Sequence, residues 1–225
     1  MKYTYYGHSS FLVEIDGVRI VFDPYISPNE LAKAVDVNSI KCDYMMLSHG
    51  HFDHVTDAEA IARNNNATII ANFEIATYFG AKNLKYHPMN IGGQWDFGKF
   101  SVKLVNAVHS SMLPDGTYGG ASVGFVVSGE GQRFYYSGDT ALHLDMQLIG
   151  TYHKLDRAFL CVGDNFTMGI DDALIAADFV KCNNITGMHL DTFPYIRIDH
   201  SKSIEKFEKT GKSLILPEIG KTYDM

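Results

Sequence analysis

Apolar and polar positions alternate from near the start of the chain. Ser10 to Ile15 and Val18 to Phe22 read as half-buried strands, and Asp16-Gly17 between them is a tight hairpin turn signal. Asp23-Pro24 ends the second strand. Asp43-Tyr44-Met45-Met46-Leu47 has the pattern of a short buried strand. Thr56 to Asn65 then predicts a helix, opened by the capping box Thr56-Asp57-Ala58-Glu59 and closed by Asn64-Asn65-Asn66. Ala67 to Ala71 is a further buried strand, and Asn72 caps a second helix ending at Gly80. His87-Pro88 and Gly92-Gly93 mark loops.

Alternation returns at Phe100 to Val105. After the Gly119-Gly120 loop, Ser122 to Val127 and Arg133 to Tyr136 predict a second hairpin. His143 and His153 fall in a helical stretch and at its exit, as surface residues. Asp156 to Val162 is an apolar strand, 163–169 a loop, and Asp171-Asp172 open a helix through Lys181. Ile185 to Met188 is a strand with Asp191 to Tyr195 looping beyond it. His200 to Thr210 is a helix stopped by Gly211, and Ser213 to Leu216 a last strand. No internal repeat is visible and no Pro/Gly/Ser-rich linker divides the chain, so residues 1–225 read as one domain. A Rossmann-like sheet would need a glycine fingerprint that is missing here.

The chemistry concentrates in Ser48-His49-Gly50-His51-Phe52-Asp53-His54. Three imidazoles and one carboxylate occupy the six positions from His49 to His54. A helix would spread them around its circumference. An extended loop points His49, His51 and Asp53 one way, with His54 turning off beside them. Imidazole and carboxylate without thiolate form a ligand set for zinc, manganese or iron. The bland alternative is a polar His-rich loop without metal; His-x-His-x-Asp-His is a much more specific pattern than one His-x-His pair. His109 and Asp139 both fall just past strand ends, so both lobes deliver polar groups to one edge. Asp23 is either a turn residue or a carboxylate orienting a metal-bound histidine. His8, after a glycine at a strand end, is either a satisfied core or surface histidine or a pocket residue.

This run resembles the signature of the metallo-β-lactamase-fold hydrolases. Ala107-Val108-His109-Ser110-Ser111 looks like that superfamily's third-histidine motif, Tyr136-Ser137-Gly138-Asp139-Thr140 like its bridging-aspartate motif, and Gly187-Met188-His189 like its final histidine. Gly7-His8-Ser9-Ser10-Phe11, Asn165-Phe166-Thr167-Met168-Gly169 and Thr192-Phe193-Pro194 narrow the likeness to small metal-dependent hydrolases related to L-ascorbate-6-phosphate lactonase. The resemblance implies an α/β (α+β) fold, a four-layer αββα sandwich. It implies His49, His51 and His109 on one metal, Asp53, His54 and His189 on another, and Asp139 bridging. The implied cofactors are two divalent transition-metal ions, zinc first, with manganese or iron as alternatives. Two such ions roughly 3.5–4 Å apart lower the pKa of a shared water to about 7, giving hydroxide that attacks a carbonyl or phosphorus. Asp53 and Asp139 then stand as the catalytic carboxylates. His8, Asp23, Asn165, Thr192 and Phe193 are pocket or supporting candidates, and local loop structure is the competing explanation for each.

Composition narrows the substrate. The formal charge of −7 disfavours general affinity for nucleic acid, although bound cations reverse the local potential for a small anion. A small ester, lactone or phosphodiester is the expected substrate class. The related lactonase suggests a phosphorylated sugar lactone, but no Lys/Arg cluster lies near the ligand motifs. The alternatives are a nucleic-acid-processing nuclease of the same fold, for which no basic insertion is visible, and a non-enzymatic metal-binding protein. Cys42, Cys161 and Cys182 are an odd number at unpatterned spacings and read as reduced core residues. Met1 to Tyr6 lacks the apolar core of a signal peptide, and no uncharged apolar run spans a bilayer, so the expectation is a cytoplasmic protein with no membrane partner. A homo-oligomer is compatible with the sequence.

Overall fold

The structure is a computed structural model that describes residues 1–225. The chain enters on an antiparallel meander of β1 (Lys2–Gly7), β2 (Ser10–Ile15) and β3 (Val18–Phe22). It continues through β4 (Tyr44–Met46), α1 (Phe52–Val55), α2 (Ala58–Asn65), β5 (Thr68–Asn72), α3 (Phe73–Gly80) and β6 (Lys85–Met89), the three strands pairing in parallel. A second meander follows: β7 (Gln94–Asp96), β8 (Phe100–Asn106), β9 (Val123–Gly129) and β10 (Gln132–Tyr136). Then come α4 (Met146–Tyr152), β11 (Arg157–Cys161), α5 (Ile170–Phe179), β12 (Asn184–Met188), α6 (His200–Glu208) and β13 (Ser213–Ile215), again with parallel strands. Finally β14 (Thr222–Asp224) crosses back to pair with β1.

The result is two seven-stranded sheets, ordered β14-β1-β2-β3-β4-β5-β6 and β13-β12-β11-β10-β9-β8-β7. Each half runs from an antiparallel ribbon into a parallel, helix-crossed set. The sequence shows no repeat, yet the topology repeats.

Three apolar clusters of 20, 19 and 18 buried residues divide the molecule, which identifies four layers and three interfaces. Alternation assigns the faces. In β11, Phe159 enters the cluster between the sheets while Ala158 and Leu160 enter the one beneath the helices. The whole strand is buried, so it reads as a continuous apolar run. Between the sheets Phe159 meets Tyr3 and Phe11 at ring separations of 5.0 and 4.9 Å, and Phe22 meets Tyr136 at 4.8 Å. The expected αββα sandwich is the observed one.

Local expectations fail at two places. Thr56 does not open a helix: its hydroxyl donates to the Phe52 carbonyl at the end of α1. Asp57 precedes α2, but its carboxylate accepts from the Ile26 and Ser27 amides at 2.7 and 2.9 Å instead of capping. A tertiary loop tie has taken the capping group. His87-Pro88, expected in a loop, lies inside β6. That strand is at the sheet edge, where the missing proline N–H costs no ladder bond.

Two backbone bonds close the same end of the sandwich. The Val123 amide donates to the Ser48 carbonyl at 3.0 Å, and the His189 amide donates to the His8 carbonyl at 2.9 Å. Gly138 lies beside this seam at φ +59°, where an added Cβ would meet Ser48 Cβ at 2.7 Å and the Val123 carbonyl oxygen at 2.8 Å. No helix is long and apolar enough to cross a membrane.

Because Phe159 joins both sheets, Phe159→Ala should lower unfolding stability by about 3–5 kcal/mol in urea denaturation. A loss under about 1 kcal/mol would show that the inter-sheet aromatic cluster is not the main clamp.

Candidate metal centre

The polar groups converge on that seam. Backbone beyond β4 is extended through His51 and then turns: the His54 amide donates to the His51 carbonyl at 2.9 Å, starting α1. Asp53 and His54 are therefore on a helical turn, and only the first part of the motif is the expected extended loop. His109 follows β8, Asp139 follows β10, His189 follows β12 and His8 follows β1.

Two groups of side chains result. His49 Nε2 lies 3.0 Å from His51 Nδ1, and the His109 ring stands 5.0 Å from each of these rings. In the second group Asp53 Oδ2 is 3.1 Å from His8 Nε2, 3.8 Å from His189 Nε2 and 3.9 Å from His54 Nε2. The potential ligand atoms of each group fall within 4.8 Å of one another. Asp139 Oδ2 sits between the groups, 2.9 Å from His189 Nε2, 3.4 Å from His54, 3.7 Å from His109 and 3.9 Å from His49. His8, expected at most as a pocket residue, is part of the second cluster.

A buried layer behind the cluster sets ring orientation. Asp23 is fully buried and accepts from the Ser48 amide at 2.8 Å, Ser48 Oγ at 2.5 Å and His54 Nδ1 at 2.9 Å, with Tyr136 Oη at 2.8 Å. Having donated to Asp23, Ser48 Oγ accepts from His49 Nδ1 at 3.0 Å. Both histidines thus carry hydrogen on Nδ1 and turn Nε2 inward. Burial disfavours charge on His54, but Asp139 and Asp23 outweigh it and hold that ring well above the usual histidine range, so a metal there would displace a proton. Asp23 also has φ +37°, so it is the turn residue and the orienting carboxylate at once. His8 and His189 share the left-handed region at φ 56° and 57°, a conformation retained where surrounding structure enforces it.

The donor set fits divalent cations. His54 Nε2 and Asp139 Oδ1 are buried without a hydrogen-bond partner, and orphaned polar atoms on residues that make up a nitrogen- and oxygen-lined centre are what an ion would satisfy. Burial pushes His49 well below the usual histidine range and His8 down to about 4, with neighbouring imidazoles adding to the effect. It lowers His51 and His109 as well, leaving neutral rings with free lone pairs. Burial also disfavours charge on His189, but Asp139 outweighs it and holds that ring up at about 9. Asp53 stays well below the carboxylate range: burial opposes this, and the bond from His189 with His54 and His8 nearby overcomes it.

Above the cluster opens a cavity of about 550 Å³. His51, Asp53, His109, Asp139 and His189 form its base, and Phe52, Phe193, Pro194, Phe166 and Tyr195 line it further. Thr192 does not line it but sits behind His8, its hydroxyl 3.0 Å from Nδ1. The structure does not bring Asn165 to the site. Asp164 and Asn165 turn through φ 62° and 55°, which leaves Asn165 exposed over a separate depression. The neighbouring Phe166 reaches the cavity instead. Sequence reasoning missed Phe52, Phe166, Pro194 and Tyr195 on the cavity, and Ser48 and Tyr136 behind it. Aromatics interleaved with the ligand motifs were the available signal for the former group.

Saturation of metal-free protein with zinc or manganese should raise its melting temperature. At one-hundredfold excess over Kd the linkage contributes about 2.7 kcal/mol, or roughly 5–10 °C at about 2–4 °C per kcal/mol. No shift with zinc, manganese or iron would contradict the fit.

A family model described as the Beta-lactamase superfamily domain matches residues 2–189. A UPF0173 metal-dependent hydrolase of Flavobacterium johnsoniae is 51% identical over 225 residues, covering 100% of both chains. YtkL, a UPF0173 metal-dependent hydrolase of Bacillus subtilis, is 45% identical over 206 residues, covering 88% of this chain and 89% of its own. The solved structure of Igni18, a novel metallo hydrolase from the archaeon Ignicoccus hospitalis, superposes with a TM-score of 0.90 at 33% identity, covering 100% of this chain and 98% of that one. By motif, fold and likeness over its whole length, the chain belongs to the β-lactamase superfamily, among the UPF0173 metal-dependent hydrolases.

Proposed function

We propose that this chain is a dinuclear metal-dependent hydrolase of a small ester, lactone or phosphodiester. The observation that carries the reading is the position of Asp139 Oδ2 between two ligand groups, within 3.9 Å of four imidazole nitrogens. His49, His51 and His109 would hold one ion, Asp53, His54 and His189 the other, and Asp139 would bridge them. Zinc is the first expectation, with manganese or iron compatible with the same donors. Bound there, the ions supply Lewis acidity and lower the pKa of coordinated water to about 7.

The protein groups divide the remaining work. Asp139 is almost wholly buried and held beside His189, so its task is to position. Asp53 is 13% exposed on the cavity side, with His8 Nε2 at 3.1 Å. It is the carboxylate placed to take a proton from the attacking water and return it to the leaving group. Asp23 and Ser48 keep Nε2 of His49 and His54 turned inward.

A serine mechanism is less well supported. Ser110 Oγ is 3.2 Å from His51 Nε2, but the other nitrogen of that ring faces His49 and no carboxylate orients it. The three cysteines are all buried. A purely metal-storing site would be closed, whereas this one opens into the cavity. Nuclease activity is disfavoured by the charge of −7 and a cavity lining without Lys or Arg.

The test is a panel of small esters, lactones and bis(p-nitrophenyl) phosphate beside oligoribonucleotides, assayed with and without chelator. Turnover of small compounds, lost on chelation and restored by zinc or manganese, is expected. Asp53→Asn should reduce kcat by about 10²–10⁴-fold with a smaller loss of bound metal, because the amide oxygen still ligates but cannot accept the proton. Efficient RNA cleavage with silence on the small compounds would overturn the reading.

A further inference from the structure

The walls of the cavity say more about the substrate than its base does. Eleven residues line it, and none is Lys or Arg. The charged groups present are the carboxylates and imidazoles of the metal cluster. Nothing in the lining can pair with a phosphate or carboxylate on the non-reacting part of a substrate. Arg197 lines the separate depression shared with Asn165.

The walls are aromatic and lie in two layers. Phe52 and Phe193 approach each other at 6.3 Å and are both braced by the buried Tyr25, at 5.7 and 6.1 Å. Phe193 also stands edge-on to the His8 ring at 5.5 Å, fixing this wall to the metal cluster. Phe166 and Tyr195 form a second pair, edge-to-face at 6.2 Å and 78°. These rings are not needed by the core: Phe52, Phe166 and Tyr195 remain 53%, 51% and 74% exposed. Apolar surface concentrated around a polar base is the signature of a ligand site. A charged arm laid against it would lose hydration without gaining a partner, whereas an aryl arm has edges and faces to meet.

We infer that the substrate is an ester or lactone whose non-reacting arm is an uncharged aromatic or comparably bulky apolar group, gripped between Phe52/Phe193 and Phe166/Tyr195. This rests on the hydrolase reading and deepens it. It also separates this site from one built for a phosphorylated sugar lactone: the reacting carbonyl belongs at the polar base and the apolar arm along the ring-lined wall.

The experiment uses zinc-loaded full-length protein and three matched metal-directed probes: acetohydroxamate, phenylacetohydroxamate and phosphonoacetohydroxamate. Binding is measured by calorimetry, independently of turnover. The phenyl arm should tighten binding over methyl by about tenfold or more, and the phosphono arm should give no gain. Tyr195→Ala and Phe166→Ala should each erase much of the phenyl advantage while zinc content and acetohydroxamate affinity hold. Equal affinities across the three probes, or a preference for the phosphono arm, overturn the inference while the hydrolase reading stands. A shift in oligomeric state, in place of a loss of the phenyl advantage, would make the rim a subunit contact and overturn it as well. Failure to take up metal removes both readings. Tight phenyl-selective binding without hydrolysis of any small substrate supports the cavity chemistry and defeats only the reaction.

Discussion

The buried Asp139 carboxylate is the constraint on which the site depends. An ionised carboxylate is stable in a protein interior only when paired and hydrogen-bonded. Asp139 has one oxygen facing four imidazole nitrogens and the other without a partner. Burial holds His49 and His109 below the usual histidine range, whereas Asp139 outweighs burial and holds His54 and His189 above it, so without a metal the carboxylate's charge is met by protons on only two of the four rings. Asp53 adds a second carboxylate beside it. Divalent cations would replace those protons and give the unpartnered oxygen a partner, and the family to which the chain belongs is one of metal-dependent hydrolases.

Holding such groups together is a task for both halves of the fold. Each sheet passes from antiparallel to parallel pairing, and the transition strand of each half leads to a buried aspartate, Asp23 after β3 and Asp139 after β10. One became the orienting group behind His54 and the other the group between the two clusters. The His8 and His189 backbone bond across the seam fixes side chains from opposite sheets in one register. The inter-sheet aromatic core beneath, with Phe22, Tyr136 and Phe159, keeps that seam from opening. Tyr136 spans both roles: its ring packs in the core and its hydroxyl reaches Asp23.

Much of this was legible in the sequence because its signals are local. The His49–His54 run, the alternation of β2 and β3 and the position of His109 just past a strand end need no tertiary information. What was not legible depended on partners distant in the chain. Thr56-Asp57-Ala58-Glu59 has every residue of a capping box, but Asp57 is claimed by the backbone at Ile26 and Ser27. Pro88 is acceptable in β6 only because no strand pairs on its far side. Asn165 and Phe166 are adjacent, and which one faces the cavity was decided by two left-handed residues that composition does not reveal. His8 was ambiguous until Asp53 and Thr192 appeared on either side of its ring.

The central claim is that Asp139 joins two metal ions in one centre. Metal-free protein loaded with manganese and followed by electron paramagnetic resonance tests it most directly. The account predicts uptake of two ions per chain and an exchange-coupled spectrum that collapses to uncoupled manganese in Asp139→Ala. Saturation at one ion, or two ions without coupling in the parent protein, would contradict it.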